Sequence, residues 1–160
     1  MNYHNITKDD LLNGEGIRVV LWVAGCGHHC DGCQNPETWA VDGGIEFDEL
    51  AEVELFEALD KSYVDGITFS GGDPLNPANR SEVFRLMKKF RELFPSKTIW
   101  LYTGYTWEQI RDLQELSYID VLAEGRFVEK LMSIDLPWVG SKNQRVIDVR
   151  KSTRDNIVLL

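Results

Sequence analysis

Ile17-Arg18-Val19-Val20-Leu21-Trp22-Val23-Ala24 runs without a break into Gly25-Cys26-Gly27-His28-His29-Cys30-Asp31-Gly32-Cys33. The first segment is β-branched and aromatic, as a buried strand is. The second carries all three cysteines of the chain. An odd number cannot all pair, and a reducing compartment keeps them as thiols. A buried strand that empties into a ligand-rich loop fits a parallel α/β sheet, where chemistry gathers at the carboxyl ends of the strands.

Outward from this stretch, strand and helix patterns alternate. Asp48 to Tyr63 places Leu50, Val53, Leu55, Phe56 and Leu59 near helical spacing, with carboxylates between them. Gly66 to Ser70 is a second strand, stopped by Gly71-Gly72. Asn79 to Phe94 is a second helix with Val83, Leu86, Met87 and Phe90 on one face, and Pro95 ends it. Thr98 to Tyr102 is a third strand, and Thr106 to Leu116 a third helix with Thr106 as N-cap. Tyr118 to Ala123 is a fourth strand. The chain beyond Glu124 reads as irregular, with one more strand at Arg145 to Val149.

Alternating strands and helices imply βαβ crossovers. A complete eight-fold barrel takes about 250 residues, and this chain has 160. The expected fold is therefore α/β: a partial, open TIM-like β/α barrel with a mostly parallel sheet, in one domain over residues 1–160. Four unusual loops follow the four strands: the cysteine loop, Gly71-Gly72-Asp73-Pro74, Thr103-Gly104-Tyr105 and Glu124-Gly125-Arg126-Phe127. In such a sheet they meet at one end and form one site.

Acidic residues number 26 against 17 basic, for a net charge of -9. That argues against a general nucleic-acid binder and against docking on anionic lipid. The polar start, Met1 to Asp10, lacks the apolar region of a secretory signal. The apolar run Val19 to Ala24 is far shorter than the ~20 residues of a membrane span. The expected location is the cytoplasm.

Three thiolates spaced C-x-x-x-C-x-x-C suit a single soft metal centre, either zinc or iron–sulfur. A structural zinc wants a fourth ligand, and His28 and His29 are nearby. A four-iron cluster held by three cysteines instead leaves one iron open to a substrate or cofactor. Gly71 and Gly72 lack a β-carbon, so backbone there can approach a ligand closely.

Cys26, Cys30 and Cys33, together with Ser70-Gly71-Gly72-Asp73-Pro74, resemble the cluster and glycine-rich motifs of the radical S-adenosylmethionine enzymes. Further elements are similar to one branch. They are Leu12 to Gly16, Asn35-Pro36-Glu37-Thr38-Trp39, Trp100 to Tyr105, and Trp138-Val139-Gly140-Ser141-Lys142-Asn143-Gln144-Arg145. That branch is the activating enzymes of anaerobic (class III) ribonucleoside-triphosphate reductases. The resemblance implies a radical SAM core in which Cys26, Cys30 and Cys33 each ligate one iron of a [4Fe-4S] cluster. It implies that Gly71, Gly72 and Asp73 hold the methionine end of S-adenosylmethionine, while Gly32, Cys33 and Gln34 line its adenine side. The implied reaction is reductive cleavage of S-adenosylmethionine, whose 5′-deoxyadenosyl radical takes a hydrogen from a glycine of the reductase. The implied partners are the reductase large subunit and a one-electron donor such as flavodoxin. No residue is assigned acid–base or nucleophilic catalysis.

The same residues admit an activase of another glycyl-radical enzyme, a small-molecule radical enzyme, or a zinc-binding interaction module. Gln34 stands where relatives carry an aromatic or imidazole, which weakens any stacking role. Glu124, His28 and His29 receive no ligand role; the histidines read as loop residues that tune access to the metal. Trp138 is expected to cover the cluster or meet the partner, and the acidic run Glu46 to Glu57 to be a solvated helix face.

Overall fold

The computed structural model describes residues 1–160. Its strands are β1 (Asn2–Asp10), β2 (Arg18–Val23), β3 (Ile45–Glu46), β4 (Gly66–Gly71), β5 (Thr98–Thr103), β6 (Val121–Glu124) and β7 (Arg145–Asp148). Its α-helices are α1 (Glu49–Leu59), α2 (Arg80–Leu93) and the single turn α3 (Trp107–Ile110). All seven strands join one sheet in the order β3-β1-β2-β4-β5-β6-β7. The central four pair in parallel. β1 and β7 flank them antiparallel, and β3 pairs antiparallel with β1.

The parallel strands alternate strictly. Val19, Leu21, Val23, Ile67, Phe69, Ile99, Leu101 and Leu122 join one apolar cluster with Leu55, Leu59, Val83, Leu86 and Phe90 of the helices. Each such side chain, fully buried, contributes ~1.5–3 kcal/mol. α2 buries Val83, Leu86, Met87 and Phe90, the face its spacing predicts. α1 starts where Asp48 accepts from the Ala51 N–H at 2.9 Å. Glu52 of α1 then pairs with Arg85 and Lys89 of α2 at 2.5 and 2.6 Å, so the acidic run is partly neutralised by the neighbouring helix.

Two expectations are corrected, and two segments that the sequence left unassigned take on structure. The polar start is β1, the longest strand, which buries only Tyr3 and Ile6. α1 turns Leu50 and Val53 to solvent, 77% and 52% exposed, and packs through Ala51, Leu55, Phe56, Ala58 and Leu59. The third helix stops after one turn, and a 3-10 helix at Gln114–Tyr118 takes up the rest. The last residues are not idle: Asp148 N–H donates to Val158 O and Leu160 N–H to Val146 O, which covers the outer edge of β7. No helix is long and apolar enough to cross a membrane.

Candidate functional site

The loops after β2, β4, β5 and β6 meet around a cleft of about 140 Å³. Backbone bonds fix their meeting. Gly72 N–H donates to Val23 O at 2.7 Å, Asp73 N–H to Gly25 O at 2.8 Å, and Cys26 N–H to Trp39 O at 3.0 Å. Asn79, buried at the start of α2, donates through Nδ2 to Ala24 O at 2.8 Å and Asp73 O at 3.1 Å. One amide thus ties the end of β2 to the glycine loop.

Of the residues expected at the site, Cys26, Cys30, Cys33, Gly71, Gly72 and Asp73 all line this cleft. Gly32 and Gln34 do not: Gly32, at φ +72°, lies against Glu129, and Gln34 lies against Gly140. Phe127 packs against Gly140 as well. Trp138 does not cover the cleft either. It packs edge-on against Trp100, with ring centroids 5.0 Å apart, on the sheet face that the helices leave bare.

The glycine pair is required first by the chain itself. Gly71 sits at φ +104°, and a Cβ there would stand 2.5 Å from Val23 O. A Cβ on Gly72 would stand 2.5 Å from Gly25 O. Both glycines let the loop after β4 lie flat on the strand end that leads to Cys26.

The three thiols are free and half-buried. Burial pushes the Cys26 thiol up from its ordinary range. The Asn35 N–H points at Cys33 Sγ, 3.4 Å away. No group of three His, Cys, Asp or Glu side chains converges to hold a single ion. Cys26, Cys30 and Cys33 all belong to the lining of the cleft. Tyr102 and Trp39 line the same cleft, and the Tyr102 hydroxyl and Trp39 Nε1 are buried with no partner in the chain. Three thiols and two residues with unmatched polar donors in the lining of one cleft fit a metal cluster with a polar ligand beside it. A larger groove of about 700 Å³ between α1 and α2 has no thiol among its lining residues.

Two residues given no ligand role in the sequence are structural members of this end. Glu124, 1% exposed, accepts from Trp107 N–H at 2.7 Å and Arg145 Nε at 2.5 Å. His28 Nε2 lies 2.7 Å from Asp73 Oδ2. Gln144, in the segment Trp138 to Arg145, is a third such member. Its Oε1 accepts from Gly140 N–H and Ser141 N–H, both at 3.0 Å, and its Nε2 donates to Gly125 O at 2.9 Å.

Comparison with known proteins agrees with this geometry. The family described as 4Fe-4S single cluster domain matches residues 12–147. The chain is 46% identical over 146 residues to the anaerobic ribonucleoside-triphosphate reductase-activating protein of Enterobacteria phage T4, covering 91% of this chain and 93% of the relative. Proteins of the same name from Vibrio cholerae and Escherichia coli are 40% and 39% identical over 148 and 154 residues. Those matches cover 90% and 94% of this chain, and 96% and 100% of the relatives.

Proposed function

The chain belongs to the family of anaerobic ribonucleoside-triphosphate reductase-activating proteins, and on that premise we propose that it generates a glycyl radical on the large subunit of such a reductase. The observation that carries this reading is the assembly of Cys26, Cys30 and Cys33 with the Gly71 to Asp73 loop around one cleft. In this reading the chain is a radical SAM oxidoreductase, one domain over residues 1–160, built as a partial, open TIM-like barrel. It works in the cytoplasm with a one-electron donor such as flavodoxin.

Cys26, Cys30 and Cys33 hold the [4Fe-4S] cluster. Gly71, Gly72 and Asp73 hold the methionine end of S-adenosylmethionine, and Gly32, Cys33 and Gln34 serve its adenine side. When bound, the cluster would pass on an electron from the donor and S-adenosylmethionine would supply the radical chemistry that takes a hydrogen from a glycine α-carbon of the reductase. The chain's own residues position and seal. The Asn35 N–H steadies the Cys33 sulfur. The Asp73 carboxylate is held by Thr103 Oγ1, Gly104 N–H, Leu75 N–H and His28. Its side chain therefore shapes the loop, and loop backbone is left to meet the cofactor. Tyr102 and Trp39 offer the unmatched donors.

The test is to incubate anaerobically reconstituted, reduced protein with S-adenosylmethionine, with and without the reductase, and record electron paramagnetic resonance. The expected result is a glycyl signal on the reductase only when all components are present, lost when its radical-bearing glycine is replaced by alanine. 5′-Deoxyadenosine formed on a small molecule, with no protein radical, overturns the reading.

A further inference from the structure

The cysteine loop makes few bonds of its own. Cys26 N–H reaches Trp39 O, and Cys33 N–H closes a turn on Cys30 O at 3.1 Å. Between them stands His28, only 14% of whose side chain is exposed. Its Nε2 lies 2.7 Å from Oδ2 of Asp73, whose carboxylate is almost wholly buried, in the loop after β4. Its ring meets Tyr105 edge-on at 4.6 Å, in the loop after β5. Gly104 lies so close beneath that a β-carbon there would collide with the imidazole. The His28 carbonyl accepts from Arg126, in the loop after β6. One residue of the cysteine loop thus touches each of the other three loops that form the cleft.

We propose that His28 is the positioning residue that sets the three cysteines against the glycine loop. The proposal rests on the reading of those cysteines as cluster ligands. The bond to Asp73 is the part that can be removed cleanly. Without it, Oδ2 of Asp73 still accepts from Thr103 Oγ1 and Gly104 N–H, both at 3.0 Å, so no buried charge is stranded. What is lost is the side-chain tie from the middle of the cysteine loop to the glycine loop, while the backbone bond from Asp73 N–H to Gly25 O at the loop's start remains. Residues that orient metal ligands in this way cost ~10–100-fold in metal affinity or activity when removed.

The test compares full-length wild type, His28→Ala and His28→Gln, each reconstituted anaerobically. The amide nitrogen of Gln reaches about as far as imidazole Nε2 and can donate to Asp73. Three quantities are read: iron lost to a chelator, S-adenosylmethionine affinity by calorimetry, and thermal melting of the cluster-free proteins. The expected result is ~10–100-fold faster iron loss and weaker S-adenosylmethionine binding in His28→Ala. Melting should be nearly unchanged, and His28→Gln should recover most of the loss. Iron retention and affinity equal to wild type in His28→Ala overturn the proposal, and so does a His28→Gln variant as impaired as His28→Ala. If His28→Ala fails to fold, His28→Gln against wild type decides by the same two readings. Wild-type protein that takes up no iron sinks the cluster reading itself, a different failure from any difference among variants.

Discussion

At the amino ends of β2, β4 and β5, Arg18 is fully buried and every donor of its guanidinium is used. Nε donates to Thr68 Oγ1 at 2.7 Å. Nη1 donates to Glu15 O and Thr98 Oγ1, and Nη2 to Ile67 O and Thr98 O, at 2.7–3.0 Å. None of these acceptors is a carboxylate, and burial pulls its pKa down to about 10. At the carboxyl ends of the same strands, Cys26, Cys30 and Cys33 line a cleft together with Tyr102 and Trp39, whose hydroxyl and Nε1 are buried with no partner in the chain. Both ends are polar and partly buried. A polar group matched within the chain holds the fold together, whereas one left unmatched is kept for something the chain must bind.

The sharpest break in this contrast is at the cysteines. Cys26→Ala, Cys30→Ala and Cys33→Ala should each abolish retention of iron and sulfide after anaerobic reconstitution. The cluster-free proteins should unfold within about 0.5 kcal/mol of wild type, because each change touches a partly exposed loop. A variant with full iron content and activity removes that cysteine from the ligand set.

Arg18→Leu should act the other way round. It strands the acceptors of Ile67, Thr98 and Thr68 in a buried setting, which costs about 3 kcal/mol in urea unfolding. Iron retention by the protein that remains folded should be normal. If Arg18→Leu were as stable as wild type yet bound S-adenosylmethionine poorly, the amino end would have to be counted as part of the site.

Gly72→Ala probes a position at the carboxyl end where the fold and the cleft both make a demand. Its new β-carbon would meet Gly25 O at 2.5 Å, so a backbone shift is unavoidable. The expected loss is about 1–3 kcal/mol in the cluster-free protein. Weaker S-adenosylmethionine binding with no loss of stability would show that the glycine serves only the cofactor.

The parallel strands, the buried face of α2 and the convergence of the four loops were legible because they rest on local pattern: apolar alternation, helical spacing and Gly-rich strand ends. β1 was not, since seven of its nine residues are not buried and backbone pairing with β2 leaves no mark in side-chain type. Leu50 and Val53 misled because apolar spacing fixes a helix but not the face it buries. His28 and Glu124 acquire their roles from partners far along the chain: Asp73 for one, Trp107 and Arg145 for the other. Sequence spacing carries no record of such meetings. The odd cysteine count pointed to a ligand site without any of them.

The smallest expected effect belongs to Tyr102, and it tests whether its buried hydroxyl really is unmatched. Its hydroxyl is buried with no partner. Burial pushes its pKa above the ordinary phenol range, Arg18 opposes the shift and Asp10 adds to it. An unfolded tyrosine titrates near about 10. Above that pH the unfolded chain has lost a proton that the folded chain keeps, so stability falls as pH rises. Below about pH 10 this contribution is fully present. Tyr102→Phe should therefore lie within about 1 kcal/mol of wild type near neutrality, since it deletes a buried hydroxyl that bonds to nothing. At about pH 11 wild type should have lost stability that Tyr102→Phe retains. Urea unfolding of the two cluster-free proteins on either side of pH 10 measures the difference. If both fell equally, the phenol would be titrating freely, and its hydroxyl would belong with the solvated groups rather than with donors held for a ligand.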